Sequence, residues 1–427
     1  MKRALIVSPY FPPCNLAGVH RPRLLAKGLP QFGWEPIVLT VDPRHYGNLL
    51  EPGLAELIPD DLRIEYVNAI PGGLSGAFGV GDLSLRAFQS MRRRMRELLD
   101  ARKVDLVFVS VLPGYAGLLG GWAKRRFGVP FVLDYQDPWV SEWGAEQPVF
   151  SKRGLAHRLA SILEPRFAPL ADAVTAVSNG TLDGLRQRGL LRPETPTAEL
   201  PIGSDPRDHE IARRVGKSYL QKEAGVFDVV YLGTVPEKKL LILQKIFRAI
   251  SAAPNAGKIQ FHFIGSSGVV DGVDSIGLGK MATEYGVAHL VRIEPRRIPY
   301  LDALRTMQDA DALWMLGSTE RHYTASKLFP YWLADRPIVG MAHEESTILE
   351  IGHQLGGTRL CKYSDETDIA HAAESLLELL AALSSGDKRV IPERNPAAFE
   401  PYSARGIARA YAEIFNGALT RHNEAAL

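Results

Sequence analysis

Lys238 and Lys327 are the first residues to weigh for chemistry. The first follows Gly233-Thr234 in YLGTVPEKK and the second lies in SKLF, and both segments succeed short apolar runs that read as strands. One exposed lysine is ordinarily solvated surface; two at the ends of two parallel strands suit an anion better. A second constellation is FVLDYQDPW, where a strand runs into Asp134 and Asp137 with Trp139 following. Acids at the carboxyl end of a parallel strand sit where α/β proteins hold ligands, and Asp137 is placed to act as a base or hydroxyl-binding group. The alternative is an aspartate capping the turn before Pro138. Gly18 precedes a helix starting near His20, where it lets backbone N–H groups approach an anion or merely permits a turn. Gly265 in HFIGSSG marks one more strand end. Arg296 and Arg297 in EPRRIPY read as solvated or phosphate-adjacent.

These residues need a scaffold of alternating strands and helices. Short β-branched runs alternate with longer amphipathic stretches, the pattern of βα units that build parallel sheets. A first series places strands at 4–8, 36–41, 63–67, 104–109, 130–133, 173–177 and 198–201, with helices at 20–32, 83–102 and 116–127. A second places strands at 228–232, 259–264, 291–294, 312–316, 337–341 and 358–361. The polar stretch 203–225 separates them. Near the end, Ile407, Ala410, Tyr411, Ile414, Phe415 and Ala418 recur at helical spacing, predicting a terminal helix over 402–419.

Composition narrows the function. A chain of 427 residues, at about 150 per domain, suggests two or three domains. Fifty Lys and Arg against 48 Asp and Glu leave +2, which disfavours a nucleic-acid binder. Only Cys14 and Cys361 are present, which excludes a disulfide framework and a Cys-rich zinc site and suits a reducing cytoplasm. No apolar run is long enough for a signal h-region or a spanning helix, so a cytoplasmic protein is expected, with the inner face of the membrane as an alternative location.

In order and spacing, LIVSPYFPPCNLAGVHRPRLLAKGL, GVPFVLDYQDPW, VSNGTLDGL then LPIGSDP, VVYLGTVPEKK, and ADALWML followed by SKLFPYWLADRPIVG resemble the GT-B glycosyltransferases, specifically the retaining family 4 enzymes. The resemblance covers nearly the whole chain. It implies an α/β fold of two Rossmann-like domains facing a cleft. Residues 1–205 would bind the acceptor and 206–400 the nucleotide-sugar donor, and 401–427 would form a helix crossing back over the interdomain seam. The implied reaction moves a sugar to the hydroxyl of a glycan, lipid-linked or small-molecule acceptor with retention of configuration. No metal or other cofactor is expected. With no protein nucleophile evident, the leaving phosphate itself is expected to help deprotonate the acceptor.

The resemblance also assigns roles. The diphosphate falls to Lys238 and Lys327, with Gly18 facing it. Gly233, Thr234, Gly265, Ser326 and Leu328 complete the donor side. His20, Arg21, Asp134, Asp137 and Trp139 fall on the acceptor side, Asp137 as the catalytic candidate. Many relatives carry arginine where this chain has Gln136, which weakens charge compensation between the two acids.

Two family glutamates eight positions apart, one for sugar hydroxyls and one for ribose, are altered. Pro330 stands at the second, and His322, with Glu320 nearby, at the first. A proline side chain accepts no hydrogen bond, so ribose recognition must be rebuilt or lost. Either Glu320 or His322 is expected to replace the sugar-binding glutamate, and the helix is expected to start near Pro330. The alteration motivates one rival reading, a catalytically degenerate binding or scaffold subunit; a nucleotide-sugar epimerase of the same fold is another.

Asp309-Ala310-Asp311 spells a metal motif but precedes a strand where the motif should follow one. His343-Glu344-Glu345 lacks the second histidine of a zinc helix, though Glu344 follows a strand end and is retained as a donor-sugar contact. Between Arg86 and Lys103, seven basic residues and two acids lie on an amphipathic pattern. It reads either as an ordinary sheet-covering helix or as a peripheral contact with an anionic membrane.

Overall fold

The computed structural model describes residues 1–72, 81–253, 258–267, 272–274, 276–318 and 326–425. It divides into two compact units, Met1–Gly203 with Tyr402–Leu427, and Ser204–Pro401.

The first unit is a seven-stranded, wholly parallel sheet of β1 (Lys2–Val7), β2 (Trp34–Val41), β3 (Arg63–Val67), β4 (Leu106–Ser110), β5 (Phe131–Tyr135), β6 (Ala173–Ala176) and β7 (Thr197–Glu199), in the order β3-β2-β1-β4-β5-β6-β7. Chain order reverses between β1 and β4, and such a reversal opens a crevice at the carboxyl ends of the strands. β5 runs two residues past the expected 133 and takes in Asp134, because that carboxylate is neutralised inside the unit. One face of the sheet packs on helices Leu83–Asp100 and Gly117–Phe127.

The other face packs on the terminal helix Ala404–Ala425, longer than the 402–419 expected. Its Ile407, Tyr411, Phe415 and Ala418 are buried against Ile6, Phe108 and Val132. Helix His20–Gly28 lies close beside it: a Cβ on Gly28 would stand 2.3 Å from that of Ala408.

The second unit is a six-stranded parallel sheet of β8 (Phe227–Leu232), β9 (Ile259–Ile264), β10 (Val291–Glu294), β11 (Ala312–Met315), β12 (Ile338–His343) and β13 (Thr358–Tyr363), in the order β10-β9-β8-β11-β12-β13. Its reversal lies between β8 and β11. The polar stretch read as a break contains helix Pro206–Val215, capped by Asp205, with Asp208, His209, Ile211 and Ala212 buried. Its inward histidine and aspartate hid it from an apolar-period reading. No helix among the described residues is long and apolar enough to cross a membrane.

Candidate active site

The carboxyl ends of β8 and β11 converge on Tyr231, which is 1% exposed. Lys327 Nζ donates to the Tyr231 hydroxyl at 2.8 Å and lies 4.1 Å from the ring centroid. Lys239 Nζ lies 5.6 Å from the same centroid and donates to the Leu316 carbonyl at 2.8 Å, just past β11. The phenol donates in turn to the Thr234 carbonyl at 2.7 Å. Two ammonium groups thus share one aromatic ring, whose negative face attracts each. Desolvation, reinforced by the Lys239 charge, holds the Lys327 pKa well below the ordinary lysine value. A site that stores this much positive potential suits an anion.

Gly233 makes the arrangement possible. Its φ of 105° is open to glycine, and a Cβ there would stand 2.9 Å from Lys327 Nζ. Gly265, φ 74°, ends β9 beside it, 3.7 Å from Gly233 by the same construction. Lys238 is exposed while Lys239 is buried, so the second ammonium at Tyr231 is Lys239, one residue from the expected position. Adjacent lysines are indistinguishable in sequence until the register of the following helix, Leu240–Ala252, is known.

Ser326 and Leu328 flank Lys327, Leu328 buried as the first residue of helix Leu328–Leu333. That helix starts two residues before the expected Pro330. Proline is tolerated there because the N–H groups of a first turn have no intrahelical acceptor, and the first backbone donor needed is Tyr331, to Lys327 O at 3.0 Å. Glu320 and His322 lie outside the described residues. Glu344 is exposed just past β12. The adjacent His343 accepts from the Glu345 N–H at 3.2 Å, leaving Nε2 to donate to the Ser364 carbonyl at 3.1 Å. Asp309 is paired with Arg305 and Asp311 with Lys222.

In the first unit the residues expected on the acceptor side separate into two groups. Asp134 and Arg21 are fully buried, Arg21 Nε lying 3.4 Å from Asp134 Oδ2. Tyr411 and Thr175 donate to Asp134 Oδ1 at 2.7 and 2.8 Å, and Arg21 donates to the Pro201 carbonyl at 2.9 Å. The acceptor-side expectation for Arg21 and Asp134 gives way to a structural role, tying the terminal helix to β5 and β6. Arg21 also compensates Asp134 where the family arginine is absent. Trp139 likewise packs internally, edge-on to Tyr115 at 5.0 Å and against Phe167 at 5.8 Å.

Asp137 and His20 remain nearer solvent. Asp137 is exposed, yet the protein mass around it raises its carboxyl pKa by desolvation. His20 is half-buried with Nδ1 3.2 Å from Arg23 Nη2. Gln136 latches the crevice between β1 and β4, donating to the Gly18 carbonyl at 2.8 Å and to Ser110 Oγ at 2.7 Å. A Cβ on Gly18 would stand 2.0 Å from Leu112 Cδ2, so contact with the loop after β4 demands that glycine.

Residues 18–203 match the model of the glycosyl transferase 4-like domain. The matched segment lies within the first unit, which is thus similar to a glycosyl transferase 4-like domain, and the chain as a whole has the GT-B fold. A sucrose-phosphate synthase of Thermosynechococcus elongatus is similar over 100% of both chains at 14% identity and a TM-score of 0.63. HepE of Anabaena, solved with UDP and glucose, is similar over 97% of this chain and 100% of its own at 18% identity and a TM-score of 0.59. A UDP-forming trehalose-phosphate synthase of Burkholderia vietnamiensis covers 99% of this chain and 100% of its own at 16% identity and a TM-score of 0.63. At these identities the likeness is one of fold. No curated protein sequence matches the chain. Within the glycosyl transferase 4-like domain lie Gly18, Gln136 and Asp137; the lysine pair on Tyr231 lies in the other unit.

The basic helix Leu83–Asp100 also belongs to this domain. Arg94 pairs with Glu65 and Glu97, Arg92 and Arg96 lie over Trp122 at 5.0 and 5.9 Å, and Arg86 donates to the Ile70 carbonyl at 2.8 Å.

Proposed function

We propose that the protein is a retaining glycosyltransferase whose second unit binds a nucleotide-sugar by its diphosphate and whose glycosyl transferase 4-like domain binds the acceptor. The observation that carries the reading is the pair of ammonium groups, Lys239 and Lys327, on Tyr231 at the carboxyl ends of β8 and β11. When a glycosidic bond to a diphosphate breaks, negative charge builds on the leaving group, and fixed cations in a desolvated setting stabilise that charge without reorganising. Gly233 and Gly265 let such a group approach the backbone.

Asp137, exposed with a raised pKa, is the group proposed to bind the acceptor hydroxyl. The leaving phosphate takes the hydroxyl proton on the same face of the sugar, so configuration is retained without a protein nucleophile. Metal is not required in this scheme, because the lysines supply the charge. The Leu83–Asp100 helix offers little surface for a membrane, since four of its five cations are engaged within the unit.

HepE binds UDP and UDP-glucose, which makes UDP-glucose the first donor to try. The test incubates the protein with nucleotide sugars and candidate acceptors and follows nucleoside diphosphate release and the anomeric proton by NMR. Slow donor hydrolysis, acceptor-stimulated release, retained configuration and indifference to a chelator are expected. Interconversion of the donor sugar would replace the transferase with an epimerase. Absence of stabilisation and turnover with every donor would overturn the proposal.

A further inference from the structure

A cleft of about 230 Å³ opens on the face of the second sheet that Tyr231 does not use. In the β9 sequence IQFHFI, Phe261 and Phe263 point into the same core as Tyr231, so Gln260, His262 and Ile264 line the opposite face. Parallel register sets Asp228 of β8 beside Gln260, and Arg292 and Glu294 of β10 beside His262 and Ile264. Gly233, Gly265 and Lys327 are not part of this wall.

The cleft is preformed. Its outer wall, residues 217–226, is tied down at three points: the Lys217 N–H donates to Asp302 Oδ1 at 2.8 Å, the Tyr219 N–H to Thr306 Oγ1 at 3.1 Å, and Lys222 Nζ to Asp311 Oδ2 at 2.8 Å. Its floor holds His262 (7% exposed) and Asp228 (1%), with Nε2 of the ring 2.7 Å from Asp228 Oδ1. Burial pushes the Asp228 carboxyl up, but hydrogen bonds from His262 and Lys222 outweigh it and hold the group below the ordinary carboxylate value. Beside that carboxylate a neutral imidazole carries its proton on Nε2 and offers Nδ1 as an acceptor. Next to it, Gln260 Nε2 is buried with no hydrogen-bond partner among the described residues. A buried donor left unpaired is costly, and an acceptor on a ligand would satisfy it.

Charge and shape select the ligand. The lining acids are Glu223, Asp228 and Glu294, and they are offset by Arg292 in the same wall, by Lys222 at 3.2 Å from Asp228 and by Arg296 at 2.8 Å from Glu294. Lys222 also serves Asp311, outside the cleft. With the lining acids matched one for one, the wall selects neither an anion nor a cation. What remains is the hydrogen-bonding capacity of Gln221, Gln260 and His262 beside apolar Val226, Ile264 and Ile293, with the Tyr219 side chain 40% exposed at the mouth. Amides and imidazole next to an aromatic and aliphatic strip suit a molecule with hydroxyls at its edge and C–H groups on its faces, which is a sugar ring. The volume lies below the roughly 300–1,000 Å³ of clefts that hold drug-sized ligands, so it suits one ring and not a chain.

We propose that this cleft binds a neutral monosaccharide at a site separate from the lysines on Tyr231, the sugar hydroxyls meeting Gln260 and His262 and one C–H face lying against Tyr219. Titration of glucose, galactose, mannose and N-acetylglucosamine into the full chain, read by saturation-transfer NMR and by amide hydrogen exchange, tests this. Saturable binding of at least one of the four is expected, with slowed exchange in residues 219–226 and in β9. Affinity should fall at least about tenfold for Gln260→Leu and for Tyr219→Ala, and stay unchanged for Lys327→Ala. Tyr219 is exposed, so its truncation supplies a variant that keeps the fold, and an unchanged thermal midpoint verifies this for each. Absence of binding by all four sugars, equal affinity in the folded Gln260→Leu and Tyr219→Ala variants, loss of sugar binding in Lys327→Ala, or tighter binding of glucuronate or glucosamine than of glucose would each overturn the proposal. Failure of UDP to bind at Tyr231 would overturn the donor reading and leave this one standing.

Discussion

Tyr231 organises the candidate donor site through both its ring and its hydroxyl, and the two contributions separate by mutation. Tyr231→Phe keeps the ring beneath Lys239 and Lys327 but removes the acceptor for Lys327 Nζ. Weakening of nucleoside diphosphate binding by about 1.5–3 kcal/mol is expected by calorimetry, the range for a hydrogen bond to a charged group. The depressed pKa of Lys327 sets the pH dependence. Its ammonium is lost at lower pH than an ordinary lysine, so diphosphate affinity should decline on the alkaline side earlier than solvent-exposed lysines would dictate, and Lys327→Met should abolish that limb. The sign for stability is opposite. The unfolded chain holds this proton more tightly, so the group's penalty on the ligand-free fold is lifted as pH rises through the depressed pKa toward the ordinary one. At this scale the loops that hold the two lysines of the candidate site were legible in the sequence. It could not separate Lys238 from Lys239 or turn Asp134 inward, because both depend on long-range partners, Tyr231 and Leu316 for one, Arg21 and Tyr411 for the other.

Helix Ala404–Ala425 is joined to the first sheet by both packing and charge. Tyr411 OH donates to Asp134 at 2.7 Å while its ring is buried beside Phe108 at 5.4 Å and Phe415 at 6.0 Å. Tyr411→Phe keeps the packing and removes one donor to a buried carboxylate. Chemical denaturation should show a loss of about 1–3 kcal/mol, with diphosphate affinity unchanged. The strands and this helix were legible because alternation of β-branched runs with 3.6-residue periodicity survives on a single chain. Helix Pro206–Val215 was not, because its inward His209 and Asp208 break the apolar period, and Gln308 Nε2, 3.1 Å from His209 Nδ1, comes from 99 residues away. The start of helix Leu328–Leu333 was misplaced for a different reason. A proline at the third position removes only an N–H with no helical partner, so it does not mark the first residue.

The two units have separate hydrophobic cores and respond separately to deletion. Removing Tyr402–Leu427 uncovers the face of the first sheet formed by Ala4, Ile6, Phe108 and Val132 and leaves Asp134 without its tyrosine donor. Calorimetry of the truncated chain should lose the unfolding transition of the glycosyl transferase 4-like domain, while the lysine pair on Tyr231 in Ser204–Pro401 still binds diphosphate. The near-zero net charge conceals a local concentration of cations, Lys239 and Lys327 on Tyr231, at the candidate donor site. We propose that the Lys239 and Lys327 cluster binds the donor's diphosphate. Isothermal titration of UDP into the intact protein and into Lys327→Ala and Lys239→Ala tests it most directly. Binding to the intact chain with at least about tenfold weaker affinity in each variant, at an unchanged thermal midpoint, is predicted; no binding to the intact chain, or equal affinity in folded variants, would contradict it.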